Sequence, residues 1–328
     1  MKKIRWGIVG PGKIAHRFAE AIRKVEEAEL VAVASRDQGR AEAFAEEYAI
    51  PYAFWGYEKM AEAREVDAVY IATPHSHHAA VAELFMNRGK HVLCEKPLCV
   101  NAVQGQQLQE CAKKNGVFLM EALWTNFLPA TKALQALISR EEIGKILGVE
   151  ADFCIAAERG PNRLYRKDLA GGALLDTGVY GLNFAAMILG NNPKRTVALS
   201  HTDGEVDLHT NILLQYESGA LANITCAIDL KKPSSAYVYG TKGYIYVPHF
   251  LGASDLYIRK EGCEEEHIAM PYRGNGFEEE IIEACACIRA GKTQSEQMPL
   301  SRTLSVLKLM DEVREQIGIS YPLEGERK

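Results

Sequence analysis

Residues 7–15, "GIVGPGKIA", decide the fold. The apolar run "IRWGIV" (4–9) before them has the β-branched content of a strand, and "KIAHRFAEAI" (13–22) has its apolar residues at helical spacing. Between strand and helix stands Gly10-x-Gly12-x-x-Ala15, the G-x-G-x-x-G/A pattern of a dinucleotide-binding turn. Gly10 permits the tight turn, Gly12 lets a pyrophosphate approach the backbone, and Ala15 allows the helix to pack closely on the sheet. Lys13 and Ile14 then present free N–H groups at the positive end of the helix dipole. A bare glycine-rich turn reads the same in isolation. The strand before it and the helix after it make it a phosphate site.

The alternation continues outward from this turn. "LVAVAS" (30–35), "DAVYIATP" (67–74), "HVLC" (91–94) and "VFLME" (117–121) read as strands. "GRAEAFAEEY" (39–48), "HHAAVAELFMNRG" (77–89) and "NAVQGQQLQECAKKNG" (101–116) read as the helices between them. Strands buried on both faces and joined by helices form parallel βαβ units and a doubly wound sheet. The pattern changes near residue 121. "ILGVEADFCIA", "DLHTNILLQYESGALANITCAID" with a turn at Glu217-Ser218-Gly219, and "SSAYVYGTKGYIYV" read as antiparallel strands, with helices at roughly 172–189, 276–290 and 301–317. The expected fold is therefore α/β: a dinucleotide-binding Rossmann domain over 1–121, then an α+β domain over 122–328 with a large, mostly antiparallel open sheet. No internal repeat or low-complexity linker interrupts it.

Composition narrows the function classes. At 328 residues the chain is longer than one core usually grows. Hydrophobic content of 47% with 25% charged residues describes a globular protein, and a net charge of −5 gives no reason to expect nucleic acid or an anionic membrane as a partner. The basic start "MKKIRW" runs into glycine and proline rather than an apolar signal core, and no run reads as a membrane span. Eight cysteines without C-x-x-C spacing fit scattered thiols in the cytoplasm better than a disulfide framework.

Ligands of open α/β sheets bind outside the carboxyl ends of the strands. At the end of the second strand "VASRD" offers Ser35 and Arg36, with Arg40 one helical turn on. A hydroxyl and guanidinium groups suit the 2′-phosphate of NADP; Asp37 keeps a ribose hydroxyl, and hence NAD, open. Thr73-Pro74 and Cys94-Glu95-Lys96-Pro97 end two further strands, so Glu95 and Lys96 are expected at the nicotinamide, with a surface turn as the plainer alternative. His75, His77 and His78 suggest zinc, but no further ligand has metal-like spacing, and a helix cap and a residue near the nicotinamide (His78) explain them better. No metal is expected.

"VGPGKIA", "ATPHSHH", "CEKPL" and "GGALLDTGVYGL" together resemble the glucose–fructose oxidoreductase / inositol dehydrogenase (Gfo/Idh/MocA) family over essentially the whole chain. "MEALWTNFLPA" (120–130) and Tyr180 are most similar to the branch of dimeric dihydrodiol dehydrogenases and NADP-dependent D-xylose dehydrogenases. Many relatives carry histidine where this chain has Tyr180. The resemblance implies a cis Lys96–Pro97 peptide, a homodimer through the C-terminal sheet, and hydride transfer between NADP and a hydroxyl of a sugar, polyol or cyclic diol. It implies Tyr180 as the group exchanging the hydroxyl proton, with Lys96 lowering its pKa and bonding the same oxygen, or the two roles reversed. Asp176 would orient the substrate's second hydroxyl or Lys96, or simply answer the helix dipole. Trp124 would wall the pocket or pack between domains, and Arg163 would bind a hydroxylated substrate or sit in a solvated loop. Tyr216, Tyr237 and Tyr239 read as sheet surface or dimer interface.

One departure bears on the substrate. Dihydrodiol-type enzymes tend to carry arginines where this chain has Leu147 and around "LSHTD" (199–203), so a sugar or polyol is the safer class. A non-catalytic NADP-binding sensor of the same fold is the competing reading. The presence of Lys96, Asp176 and Tyr180 together speaks against it.

Overall fold

The computed structural model describes residues 3–322. Met1, Lys2 and residues 323–328, the tail of the expected second domain, lie outside the described residues. By its contacts the chain divides into two compact units. The first comprises Met1–Cys99, Val103–Phe127 and Arg273–Leu300; the second comprises Val100–Ala102, Leu128–Tyr272 and Ser301–Lys328. The expected division at 121/122 falls close to Phe127, where the chain leaves the first unit; the return at Arg273 had no signal in the sequence.

The first unit alternates β1 (Ile4–Val9), α1 (Lys13–Ile22), β2 (Ala28–Ser35), α2 (Gln38–Glu47), β3 (Tyr52–Trp55), α3 (Tyr57–Glu62), β4 (Ala68–Ile71), α4 (His75–Met86), β5 (His91–Glu95), α5 (Ala102–Asn115) and β6 (Leu119–Ala122). The sheet order is β3-β2-β1-β4-β5-β6 and every pairing is parallel. Helices on both faces bury its central strands completely: Ile8, Val33, Val69, Ile71 and Leu93 have no exposed surface. Phe18 of α1 stacks on Tyr70 of β4 with ring centres 3.9 Å apart and meets Trp6 of β1 edge-on. The expected Rossmann sheet is present. β3 and α3 were not read from the sequence, because a four-residue strand with mostly exposed side chains carries almost no periodic signal.

The later elements are α6 (Pro129–Ser139), β7 (Ile146–Cys154), α7 (Val179–Leu189), β8 (Arg195–Thr202), β9 (Asp207–Gln215), β10 (Leu221–Ala227), β11 (Ser235–Gly240), β12 (Gly243–Pro248), β13 (Asp255–Lys260), β14 (Glu266–Ala269), α8 (Glu278–Arg289) and α9 (Leu300–Ile317). α8 belongs to the first unit, where the Arg17 guanidinium lies 4.6 Å from the Phe277 ring centre and donates to the Asn275 carbonyl at 2.8 Å. The eight strands form the sheet of the second unit, in the order β14-β13-β12-β11-β7-β10-β9-β8. Only β7 and β10 pair in parallel; the other pairings are antiparallel, as the sequence led one to expect.

One face of this sheet is covered by helices: α7 lies on β7 and β10, and Gln316 of α9 bonds the backbone of β8 at Thr196 and Ala198. The other face carries Val197, Leu199, Leu213 and Leu221 exposed, beside a stack in which Tyr237 meets Tyr246 at 4.6 Å. Tyr237 and Tyr239 thus lie at the sheet surface. Tyr216 does not: it is buried, and burial pushes its phenol up to about 12. Lys167–Leu189 is long and apolar enough to cross a membrane by length and composition alone, but 83% of its most apolar window is buried inside the protein. All eight cysteines are free.

Candidate active site

In the first unit, the carboxyl edge of the sheet is built around the turn that follows β1. Gly10 has φ of +87°, and a Cβ there would stand 3.2 Å from the Ala72 carbonyl oxygen and from Thr73 Cγ2. Only glycine fits comfortably. Gly12 is the opposite case, since a Cβ there would meet nothing within 4 Å. Gly12 caps α1 without a side-chain hydrogen bond, so the first N–H groups of the helix, at Lys13 and Ile14, face an open turn, and Ala15 is fully buried beneath it. An open cradle with unspent donors fits a pyrophosphate.

Ser35 and Asp37 are used locally at the end of β2. The Asp37 amide donates to Ser35 Oγ at 3.1 Å, and the Asp37 carboxylate caps α2 by accepting from the Arg40 amide at 2.8 Å. The Arg40 guanidinium reaches back to the Pro11 carbonyl at 3.1 Å, and Arg36 Nη1 lies 3.4 Å from His77 Nε2. One oxygen of the Asp37 carboxylate caps a helix, the Arg40 guanidinium reaches the turn, and Arg36 stands beside His77. This donor set fits a 2′-phosphate.

Glu95 and Lys96 end β5, two strands from the glycine turn on the same sheet edge. Glu95 is buried and accepts hydrogen bonds from the Tyr70 hydroxyl and, at 3.2 Å, from the Lys96 amide. The Lys96–Pro97 peptide is cis. His78, expected at the cofactor, is fully buried, with both ring nitrogens 2.8 Å from backbone carbonyls, those of Pro97 and Thr73. It ties the ends of β4 and β5 together. Pro74 opens α4 directly after Thr73. Trp124 stacks on Phe277 at 5.4 Å, with the Arg17 guanidinium 5.0 Å from its ring centre, which is packing inside the first unit.

Two groups here escaped sequence reading. Tyr70 lies in an ordinary apolar strand. Glu280 lies in the acidic run that opens α8, yet it is completely buried, and among the described residues neither carboxylate oxygen has a hydrogen-bond partner. Burial first, then the charge of Glu95, holds its carboxyl well above the usual range, against the pull of Arg17. Burial likewise holds the Cys94 thiol well above its ordinary value, so it is inert.

The second unit presents Asp176 and Tyr180. Leu174–Gly178 is a π-helical turn that leads straight into α7, so Asp176 and Tyr180 are not stacked by simple α-helical spacing. Gly181 lets the helix approach β10 closely: a Cβ there would lie 2.6 Å from Ile224 Cγ2. Tyr180, beside it, is buried and meets Phe153 edge-on at 5.5 Å. Arg163 donates to Asp176 Oδ1 at 2.8 Å, which pairs these two candidate residues with each other. Asp207, also missed, anchors the start of the π turn through the Leu174 amide at 2.7 Å.

A parallel sheet with an open glycine turn and flanking guanidinium groups defines a nucleotide-binding Rossmann unit. Residues 4–123 match the Gfo/Idh/MocA oxidoreductase family, NAD-binding Rossmann fold, and residues 131–246 match a Gfo/Idh/MocA C-terminal domain. The trans-1,2-dihydrobenzene-1,2-diol dehydrogenase of Danio rerio is 37% identical over 98% of this chain and 99% of its own, and that of Homo sapiens is 34% identical over 97% and 98%. A 3-ketoreductase from Actinomadura kijaniata, solved with NADP and TDP-benzene, matches at a TM-score of 0.89 with 27% identity, covering 96% of this chain and 98% of its own. That enzyme has also been solved with a tyrosine replaced and with a lysine replaced. The chain belongs to the Gfo/Idh/MocA oxidoreductase family.

Proposed function

We propose that this chain is an NADP-dependent oxidoreductase moving a hydride between nicotinamide and a hydroxyl-bearing carbon of a sugar, polyol or cyclic diol. The observation that carries the reading is Lys96 at the carboxyl end of β5, two strand spacings or roughly 10 Å from the open Gly12 cradle on the same sheet edge. That span suits a cofactor whose pyrophosphate lies on the turn and whose ring lies by the lysine. The first unit, which holds most of 1–121, then serves as the cofactor domain and the second as the substrate and assembly domain. NADP is favoured over NAD because the Arg40 guanidinium reaches the turn at Pro11 and a second guanidinium, Arg36, follows Ser35 at the end of β2. The relatives named for diol dehydrogenation and ketoreduction support the reaction class.

Bound nicotinamide supplies the hydride acceptor or donor. Tyr180 exchanges the hydroxyl proton, and Lys96 donates a hydrogen bond to the reacting oxygen; the reverse assignment uses the same two groups. Asp176, held by Arg163, orients a second hydroxyl. Tyr70 and His78 act at one remove, fixing Glu95 and the carbonyls around Lys96. The outward face of the second sheet, with Leu199, Leu213 and Leu221 exposed, suits a second copy of the chain, and eight free thiols suit a reducing cytoplasm.

The test is an absorbance assay for reduced nicotinamide with NADP and NAD, on D-xylose, D-glucose, myo-inositol and a trans-dihydrodiol. Turnover with NADP is expected on at least one, falling by about 100-fold or more in Lys96→Met while NADPH binding persists. Tight NADPH binding without turnover in either direction on any of them would replace this reading with the sensor.

A further inference from the structure

No local motif in the sequence spaces metal ligands, yet strand pairing in the second unit assembles a set. His201 of β8 and His209 of β9 are direct cross-strand partners, with ring centres 5.2 Å apart. β10 pairs Ala227 with His209, so Asp229 follows two residues beyond that register. Its carboxylate lies between the two rings: His209 Nδ1 is 3.1 Å from Oδ1, and His201 Nδ1 is 3.7 Å from Oδ2. One ligand atom from each residue lies within 4.8 Å of the others. Ligands around a tetrahedral zinc ion stand roughly 3.3 Å apart at bond lengths of about 2.1 Å. Small side-chain rotations close that difference.

The backbone under the three residues is firmly held. Ser200 Oγ donates to the His209 carbonyl at 3.0 Å and lies 2.9 Å from Thr210 Oγ1. The Ile228 amide donates to Leu208 at 2.7 Å, the Ala157 amide donates to Ile228 at 2.8 Å, and Asp229 itself bridges Ala156. Leu208, Cys226 and Ile228 pack together in a buried cluster alongside. The register slips directly after His201, a bulge of the kind that re-aims side chains at functional positions. The side chains are partly exposed, 61% for His201, 35% for His209 and 24% for Asp229, which leaves room for solvent ligands.

We propose that His201, His209 and Asp229 form a binding site for one divalent transition-metal ion, of which zinc is the best fit, with water completing the coordination. Two imidazoles and one carboxylate select such ions over magnesium or calcium, which prefer all-oxygen sets. The ion ties three strand ends, those of β8, β9 and β10, into one clasp. None of the three residues belongs to the proposed catalytic set, so an assay without turnover leaves this site standing, and a failed metal titration leaves the oxidoreductase reading untouched.

The experiment uses the full chain, stripped with a chelator and carrying Cys263→Ser to remove the exposed thiol. Cobalt(II) is titrated by visible absorbance, zinc by competition with a chromophoric chelator, and thermal midpoints are read with and without zinc. The expected result is one equivalent per chain and a zinc-dependent rise in midpoint. His201→Gln and His209→Ala should each lower the affinity at least the about 10-fold that even an outer-sphere partner is worth, and abolish the rise, with unchanged circular dichroism. Absence of stoichiometric binding, or equal binding and an equal rise in His201→Gln, whose altered ring is the more exposed, would overturn the proposal.

Discussion

Asp207 is a single carboxyl whose burial is expected to make stability depend on pH. It is completely buried under the π turn, bonded by the Leu174 amide and, at 3.0 Å, by Thr210 Oγ1, and burial raises its pKa from 3.8 to about 6 despite those bonds. Because the folded value lies above the unfolded one, the folded state holds the proton more tightly. The stability this brings is complete below the unfolded value and is lost as pH rises through about 6. At about 1.4 kcal/mol per unit, the difference is about 3 kcal/mol. Asp207→Asn keeps an oxygen for both donors and cannot ionise. Its urea midpoint should change less between about pH 4 and about pH 7 than that of the parent, whose carboxylate is destabilising at the upper end. Equal slopes in the two proteins would show that Asp207 does not titrate in this window.

At the scale of elements, the β1–α1 turn separates two kinds of glycine. Gly10 is held by its backbone angle and by the Ala72 carbonyl, so Gly10→Ala should lower the melting midpoint, by about 1–2 kcal/mol of stability, as well as NADPH affinity. Gly12 has ordinary backbone angles and empty space beside it. Gly12→Ala should cost under about 1 kcal/mol of stability yet weaken NADPH binding about 10-fold or more, because its methyl group occupies the place of the pyrophosphate. Calorimetry with and without NADPH separates the two effects; a Gly12→Ala protein that binds normally would displace the phosphate from this turn. The motif was readable because everything it needs lies within nine residues. Elements without such density were not. α6 was passed over, as were β8, where outward Val197 and Leu199 blur the alternation, and the short strands β13 and β14. The partners of Glu95 and Asp176, namely Tyr70 and Arg163, are set by tertiary pairing, as is the His201–His209–Asp229 trio, whose members lie 8 and 20 residues apart in the sequence. Periodicity carries no trace of such contacts.

For the whole molecule, the outward face of the second sheet carries exposed apolar side chains on which the proposed second copy of the chain would sit. Leu199 is 77% exposed, Leu221 56% and Leu213 55%, and clustered exposure of this kind marks an interaction surface. Light scattering should give twice the chain mass, and Leu213→Glu should give single chains with little change in melting midpoint; a monomeric parent would remove the surface from consideration. The chain path has a different consequence. Each unit is assembled from three separate stretches, and the first is completed only by Arg273–Leu300, which brings in α8. A nascent chain therefore cannot finish its cofactor-binding half until nearly all of it has been synthesised, which lengthens its exposure to chaperones. In evolution, the two halves cannot be traded by a single crossover, since no one cut separates both units whole. Interleaving of this kind favours new substrate preferences by substitution within the chain over shuffling of modules.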